Sequence, residues 1–194
     1  MSTHPVQAAG ADPRPLLGEP LPLDLLNTRW VDDDGAHDLL EHPDGLTIWL
    51  TSAGLAGTAP DTRETLDALL VTRDALSALT RSEGPDPDRA RQMLNETLGH
   101  GRIRRLLGPA GPETVIETDT PGWLAAWRAA EHYLRLLDEG PARIRECANP
   151  VCVLRFYDIS KNGGRRWCSM AACGNRAKSR RHYARHQEQS PPQG

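Results

Sequence analysis

The first 146 residues contain no cysteine; the four in the chain fall at Cys147, Cys152, Cys168 and Cys173. Aromatic residues are scarce as well, with five Trp, three Tyr and one Phe, so a core has to rest on Leu and Ala. No apolar run approaches the roughly 20 residues that a membrane span needs. The opening stretch, MSTHPVQAAGADPRPLLGEP, lacks an apolar centre and reads as neither a signal peptide nor a membrane anchor. The expected setting is the cytoplasm, where thiols stay reduced and free to bind metal. Also missing are a Gly-rich phosphate loop, a nucleophile elbow and a helix-borne His-Glu metal motif. An enzyme is therefore not expected.

What the chain does have is concentrated near its C-terminal end. Four residues separate Cys147 from Cys152, four separate Cys168 from Cys173, and fifteen lie between the pairs. Two matched pairs with a short insert are the layout of a four-thiolate zinc site, each pair forming a turn that aims two sulfurs at one point. Two disulfides are the competing arrangement, but they suit small secreted domains. Unrelated buried thiols would not leave the whole upstream chain empty of cysteine. Zinc held by four thiolates has no open position for water or substrate, so the one expected ion is structural. Four ionised sulfurs on a divalent ion leave a local charge of about −2, which Arg145, Arg166 and Arg176 are near enough in sequence to offset.

The formal net charge of −3 conceals an asymmetry. Residues 141–186 carry eleven Arg and Lys against two acids, Glu146 and Asp158, whereas residues 1–140 carry twelve basic and twenty-three acidic side chains. A basic module of about +9 on a body of about −11 points to a polyanionic partner.

Taken in order, residues 1–15 have little to anchor them and are expected to be a disordered tail. Leu21, Leu23, Leu25, Leu26 and Trp30 surround Asp24, Asn27 and Thr28 in a short helix that ends near the acidic loop Asp32-Asp33-Asp34-Gly35. Asn27 and Thr28 are candidates to face a ligand pocket, the alternative being that they satisfy neighbouring backbone groups. The triple Asp lacks the alternating spacing of a calcium loop and reads as solvated. Residues 44–54 read as a second helix. The third, after Asp61 and Thr62, sets Leu66, Leu69, Leu70, Arg73, Leu76 and Leu79 at helical spacing. A fourth starts at Asp86. The stretch RIRRLLGPAGPETVIETDT reads as a β-hairpin bearing Arg102, Arg104 and Arg105, either paired to Glu113 and Glu117 or free for DNA or a ligand. Thr120-Pro121 opens a fifth helix, with Trp123, Leu124, Trp127, Ala130, Leu134 and Leu137 on one face, closed by Gly140-Pro141.

The boundary between an upstream domain, 16–140, and a finger, 141–187, is placed at that break, with 188–194 as a second disordered tail. The short connection implies that the finger packs close to the fifth helix. Within the finger, Arg155 to Ile159 and Arg165 to Trp167 read as two strands joined across Asn162-Gly163, a tight-turn signal. A helix from about Met170 to His186 follows. The expected fold is α+β, mainly α: a helical domain with a small hairpin, then a treble-clef-like zinc finger of knuckle, hairpin and helix. Trp167 is expected to cover the metal, and the role of Asn175 is left open.

The basic residues of the finger are the candidate nucleic-acid contacts: Lys161, Arg165 and Arg166 on the hairpin, then Arg176, Lys178, Arg180, Arg181 and Arg185 on the helix. No acid lies among the last five, so internal ion pairs do not explain them, and phosphates are their natural counter-charges. His182 and His186 stand i, i+4, but roughly 13 Å of helix separates the first from Cys173, too far to join the zinc.

The run RRWCSMAACGNRAKSRR resembles the C-terminal finger of CGNR zinc-finger proteins, whose name matches Cys173, Gly174, Asn175 and Arg176. Phe156-Tyr157-Asp158, Ser160-Lys161 and Arg165-Arg166-Trp167 fit the same pattern, and LPLDLLNT at 21–28 is similar to the opening of the ABATE domain that usually precedes it. The resemblance covers 16–186. It implies zinc on the four cysteines and a transcription regulator, often linked to stress, whose upstream domain senses a ligand.

The expected function is thus a zinc-containing, DNA-binding regulator with duplex DNA as partner, a small-molecule or protein effector and a homodimeric state, since one recognition helix reads little DNA. The alternatives are an RNA-binding or protein-docking zinc module, or a thiol-redox sensor in which oxidation ejects the metal. Few free aromatics beyond Phe156, Tyr157 and Tyr183 are on hand for base stacking.

Overall fold

The computed structural model describes residues 11–81 and 86–175. Five helices make the body: α1 (Leu21–Leu26), α2 (Gly45–Ser52), α3 (Arg63–Leu79), α4 (Pro87–Gly99) and α5 (Leu124–Glu139). Three two-stranded antiparallel ribbons complete it: β1 (Arg29–Asp32) with β2 (Gly35–Asp38), β3 (Gly101–Gly108) with β4 (Gly111–Thr118), and β5 (Ile144–Glu146) with β6 (Arg155–Tyr157). The architecture is α+β, as the sequence led us to expect.

Local chemistry sets the helix starts. Thr62 accepts from the Thr65 amide ahead of α3, and Asp86 accepts from the Arg89 amide ahead of α4, with Pro87 at its first position. On α5 the buried face is Ala125, Ala126, Trp127, Ala129, Ala130, Tyr133 and Leu136. Small alanines let it close on α1, α3 and α4. The stripe therefore lies slightly round the helix from the expected one: Tyr133 turns inward and Leu134 is exposed.

The expected solvated loop at Asp32-Asp33-Asp34-Gly35 is the tip of the β1–β2 hairpin, with Arg29 opposite Asp38 and Asp32 opposite Gly35. Gly35 takes a φ of +122°, a conformation open to glycine because it has no Cβ. Asp32 is used locally, accepting from the Trp30 indole and the Asp34 amide.

Arg14, near the end of the expected tail 1–15, packs into the body. Arg14 is 4 % exposed. Its guanidinium donates to Asp24 at 2.8 Å, to Asp12 at 2.7 Å and to Ser52 at 2.8 Å. Asp24 in turn accepts from the indole of the fully buried Trp49. Residues 1–10 and 188–194 lie outside the described residues.

The finger departs most from expectation. The strand at Arg155–Tyr157 does form, but its partner is Ile144–Glu146, before the first cysteine, with Arg145 opposite Phe156. Arg165 to Trp167 form no strand. The buried carboxylate of Asp158 explains this: it accepts from the Ser160 amide, the Ser160 hydroxyl and the Arg165 amide, at 2.9, 2.6 and 2.9 Å. The 158–165 segment winds around that carboxylate instead of closing a flat hairpin across Asn162-Gly163. The Ser160 hydrogen bond, with those of the amides, holds Asp158 below the usual carboxylate range despite burial. Arg166 then returns to the knuckle, where its carbonyl accepts from the Ala148 amide. The expected helix from Met170 to His186 is present as a single helical turn over Met170–Gly174, and the rest lies outside the described residues.

Candidate metal centre

Two turns converge on one point. The first is fixed by the Cys152 amide donating to the Asn149 carbonyl and the Cys147 amide donating to Leu154. In the second, Gly174 N–H donates to the Ser169 carbonyl. The Sγ atoms of Cys147, Cys152, Cys168 and Cys173 all lie within 4.8 Å of one another, and Cys152 and Cys168 are 3.9 Å apart. A tetrahedron of Zn–S bonds of about 2.3 Å has edges of about 3.8 Å. The donors present therefore fit zinc in both chemistry and spacing.

The sulfurs are largely out of water: Cys147, Cys168 and Cys173 are buried and Cys152 is half-buried. N–H groups point at them, among them Asn149 Nδ2 to Cys173 Sγ at 3.3 Å and the Cys168 amide to Cys147 Sγ at 3.4 Å. Crowded thiols do not ionise alike. The Cys168 hydrogen bond draws Cys152 down to about 6, while the same contact drives Cys168 up and burial pushes Cys147 up. A divalent cation is what lets such a group shed its protons together.

The expected counter-charges are arranged differently. Arg145 donates to the Arg165 carbonyl and stands 3.7 Å from Asp158. Arg166 lies over the Trp167 ring, 5.3 Å from its centroid. Trp167, half-buried, packs against the hydrophobic core to which Cys147, Cys168 and Cys173 belong. Arg176 lies outside the described residues, as do Lys178, Arg180, Arg181 and Arg185. Asn175 is exposed.

Of the candidate phosphate contacts within the structure, Lys161 and Arg166 are exposed, and neither has an acidic partner among the described residues. Arg165 is otherwise engaged. Its Nη2 donates to Glu19 at 2.9 Å and to the Cys168 carbonyl at 2.6 Å, its Nε donates to the Trp167 carbonyl, and the guanidinium covers Phe156 at 4.1 Å. A side chain spent on three elements is a brace, not a phosphate contact. In the second basic cluster, Arg102 and Arg104 both pair with Glu117.

Asn27 and Thr28 are engaged inside the protein. Both are fully buried. Asn27 donates through Nδ2 to the Arg155 carbonyl and accepts at Oδ1 from the Arg155 amide, each at 2.8 Å. Its carboxamide thus acts as an extra β-strand residue for β6. Thr28 donates to the Leu25 carbonyl and accepts from Arg73. With Glu19, which also accepts from the Tyr157 amide at 2.9 Å, Asn27 fastens the finger to α1 and the segment before it. Sequence reasoning missed both as latch residues; no local pattern announces a bond across 128 residues.

A family model for ABATE, described as "Putative stress-induced transcription regulator", matches residues 19–140, and one for the CGNR zinc finger matches 143–186. The chain belongs to the ABATE family and carries a CGNR zinc finger. No curated protein matches it. In this ABATE protein Cys147, Cys152, Cys168 and Cys173 hold zinc, and the ion ties the two turns of the finger into one structural unit. No helix among the described residues is long and apolar enough to cross a membrane.

Proposed function

We propose that this ABATE protein is a cytoplasmic, non-catalytic transcription regulator whose finger binds duplex DNA through its phosphates. The reading is carried by one observation: the closed four-sulfur centre supports exposed Lys161 and Arg166 with no acidic partner among the described residues. Five further basic residues, Arg176, Lys178, Arg180, Arg181 and Arg185, follow within twelve residues of Cys173 with no acid between them. Such a run gives a salt-dependent affinity without requiring base contacts. The acidic body repels nucleic acid, and so orients the finger toward it. The body is the sensing half, responding to a small molecule and acting on the finger through Asn27 and Glu19. A homodimer would supply the second half-site.

The test is binding of zinc-loaded protein to duplex DNA, with single-stranded RNA as a second arm, over a salt series. The comparison variants are Lys161→Ala/Arg166→Ala and Arg176→Ala/Arg180→Ala/Arg181→Ala. The log–log salt slope should fall by about 0.9 for each phosphate contact removed. No binding at low salt rules the DNA reading out, and preference for RNA redirects it to the RNA alternative.

A further inference from the structure

A cavity of about 580 Å³ opens between the body and the finger, walled by the β1–β2 hairpin, the end of α3 and the first cysteine turn. Four arginines line it: Arg29, Arg73, Arg81 and Arg155. Three acids line it too, and they are unequally engaged. Asp38 is shared, taking both Nη atoms of Arg73 at 2.7 Å and Arg29 Nε at 2.9 Å. Glu146, half exposed, accepts from Arg155 at 2.9 Å, and Glu41 lies exposed.

The cationic side is left with spare capacity. Arg73 and Arg155 are 1 % and 7 % exposed, and in each the buried Nε has no hydrogen-bond partner. Only one other buried side-chain nitrogen or oxygen among the described residues is in that position, and it belongs to Arg128, away from this cavity. Arg81 has no acidic partner among the described residues. Burial pulls the Arg155 guanidinium below its usual range; the Glu146 carboxylate opposes this, and the like charge of Arg81, on the same cavity wall, adds to it. Natural proteins rarely leave buried donors and like charges in this state unless something else satisfies them. The cavity also exposes apolar surface, from Val31 at 40 % and Val153 at 45 %.

We propose that this cavity binds a small organic anion, a carboxylate or phosphate on an apolar body, gripped between Arg81 and Arg155 with its apolar part against Val31 and Val153. Guanidinium forks match planar and tetrahedral oxyanions, and stay charged at any physiological pH. The proposal deepens the effector half of the reading above and rests on it. It also moves the sensing site from Asn27 to the seam beside Cys152, which lines the same cavity.

The experiment uses uniformly ¹⁵N-labelled, zinc-loaded full-length chain without nucleic acid, observing the arginine Nε–H resonances. Probes are benzoate, inorganic phosphate and neutral benzyl alcohol at constant ionic strength. Benzoate should give saturable shifts at Arg155 and Arg73, with an apparent Kd at or below about 1 mM. Phosphate should bind the same resonances more weakly, and benzyl alcohol should leave them unmoved. Arg81→Ala, at an exposed position with no acidic partner among the described residues, should weaken benzoate by about fivefold. Arg155→Lys identifies its own resonance by loss. Non-saturating shifts up to about 10 mM benzoate, equal shifts with benzyl alcohol, or an unchanged response in Arg81→Ala each overturn the proposal. Because no DNA is present, these results stand apart from the salt-series test: a finger that binds DNA in a protein that ignores benzoate retires the anion site alone.

Discussion

The body and the finger are held together by different physics. The body buries leucines, alanines and Trp49 from α1 to α5 around one another, and helix amphipathicity is enough to specify it. Among its described residues the finger has one fully buried apolar side chain, Phe156, two three-residue strands and a polar interior organised by Asp158. A unit that small lacks the apolar area to stand alone, so the four sulfurs have to supply what a core does elsewhere. The contrast explains why the chain spends every cysteine in one place.

The sharpest way to break that comparison is to remove the metal. Structural zinc contributes about 10–16 kcal/mol in small zinc-binding peptides, as much as the whole stability of an ordinary domain. Chelation, or Cys168→Ser, should abolish amide-exchange protection at Ile144–Glu146 and Arg155–Tyr157. Protection at Leu69 and Leu76 in α3 should remain. Loss of protection in both regions would mean that the body depends on the finger; loss in neither would mean that the finger has a core we have not recognised.

A smaller effect probes the body alone. Asp38 is desolvated, which raises its pKa, but hydrogen bonds from Arg73 and then Arg29 outweigh this and hold it below the usual carboxylate range. A depressed carboxylate stabilises the fold fully above its unfolded value, about 3.9, and loses that contribution as pH falls through the folded value. Acid unfolding of the body, followed by the near-UV signal of buried Trp49, should therefore steepen below about pH 4. Asp38→Asn removes that dependence. At neutral pH it costs about 3–5 kcal/mol, because Arg73 is left charged and unpaired in the interior.

Helix positions were legible because their signals are local: an apolar stripe, a capping Thr62 or Asp86, a Gly-Pro stop after α5. The zinc ligands were legible for a similar reason, since spacing within each pair encodes the turn. What could not be read was set by contacts far apart in the chain. Arg73 sat in plain view on the apolar stripe of α3, and a charge at a buried helical position does signal a buried partner; nothing local says that the partner is Asp38. The Asn162-Gly163 step promised a hairpin and lost to Asp158, whose three accepted hydrogen bonds fix the segment around a carboxylate. Asn27 looked like a ligand-facing polar residue because a polar side chain on an apolar helix looks the same whether it meets a ligand or a strand.

That last residue decides whether the two regions are one cooperative unit. Asn27→Ala removes both hydrogen bonds to Arg155 and strands a buried N–H and C=O on β6, a loss of about 2–3 kcal/mol. The cost falls on the joint and not on either region's interior, since the body keeps its helices and the finger its sulfurs. Wild-type protein should unfold in one thermal transition, and Asn27→Ala in two, with zinc release coinciding with the first. Glu19→Gln, which keeps the size and an acceptor for the Tyr157 amide but weakens the pair with Arg165, should shift the joint in the same direction by less. If the wild type already unfolds in two steps, the latch does not couple the regions. An effector bound to the body would then need the cavity beside Cys152, where Arg155 belongs to both sides, as its route to the finger.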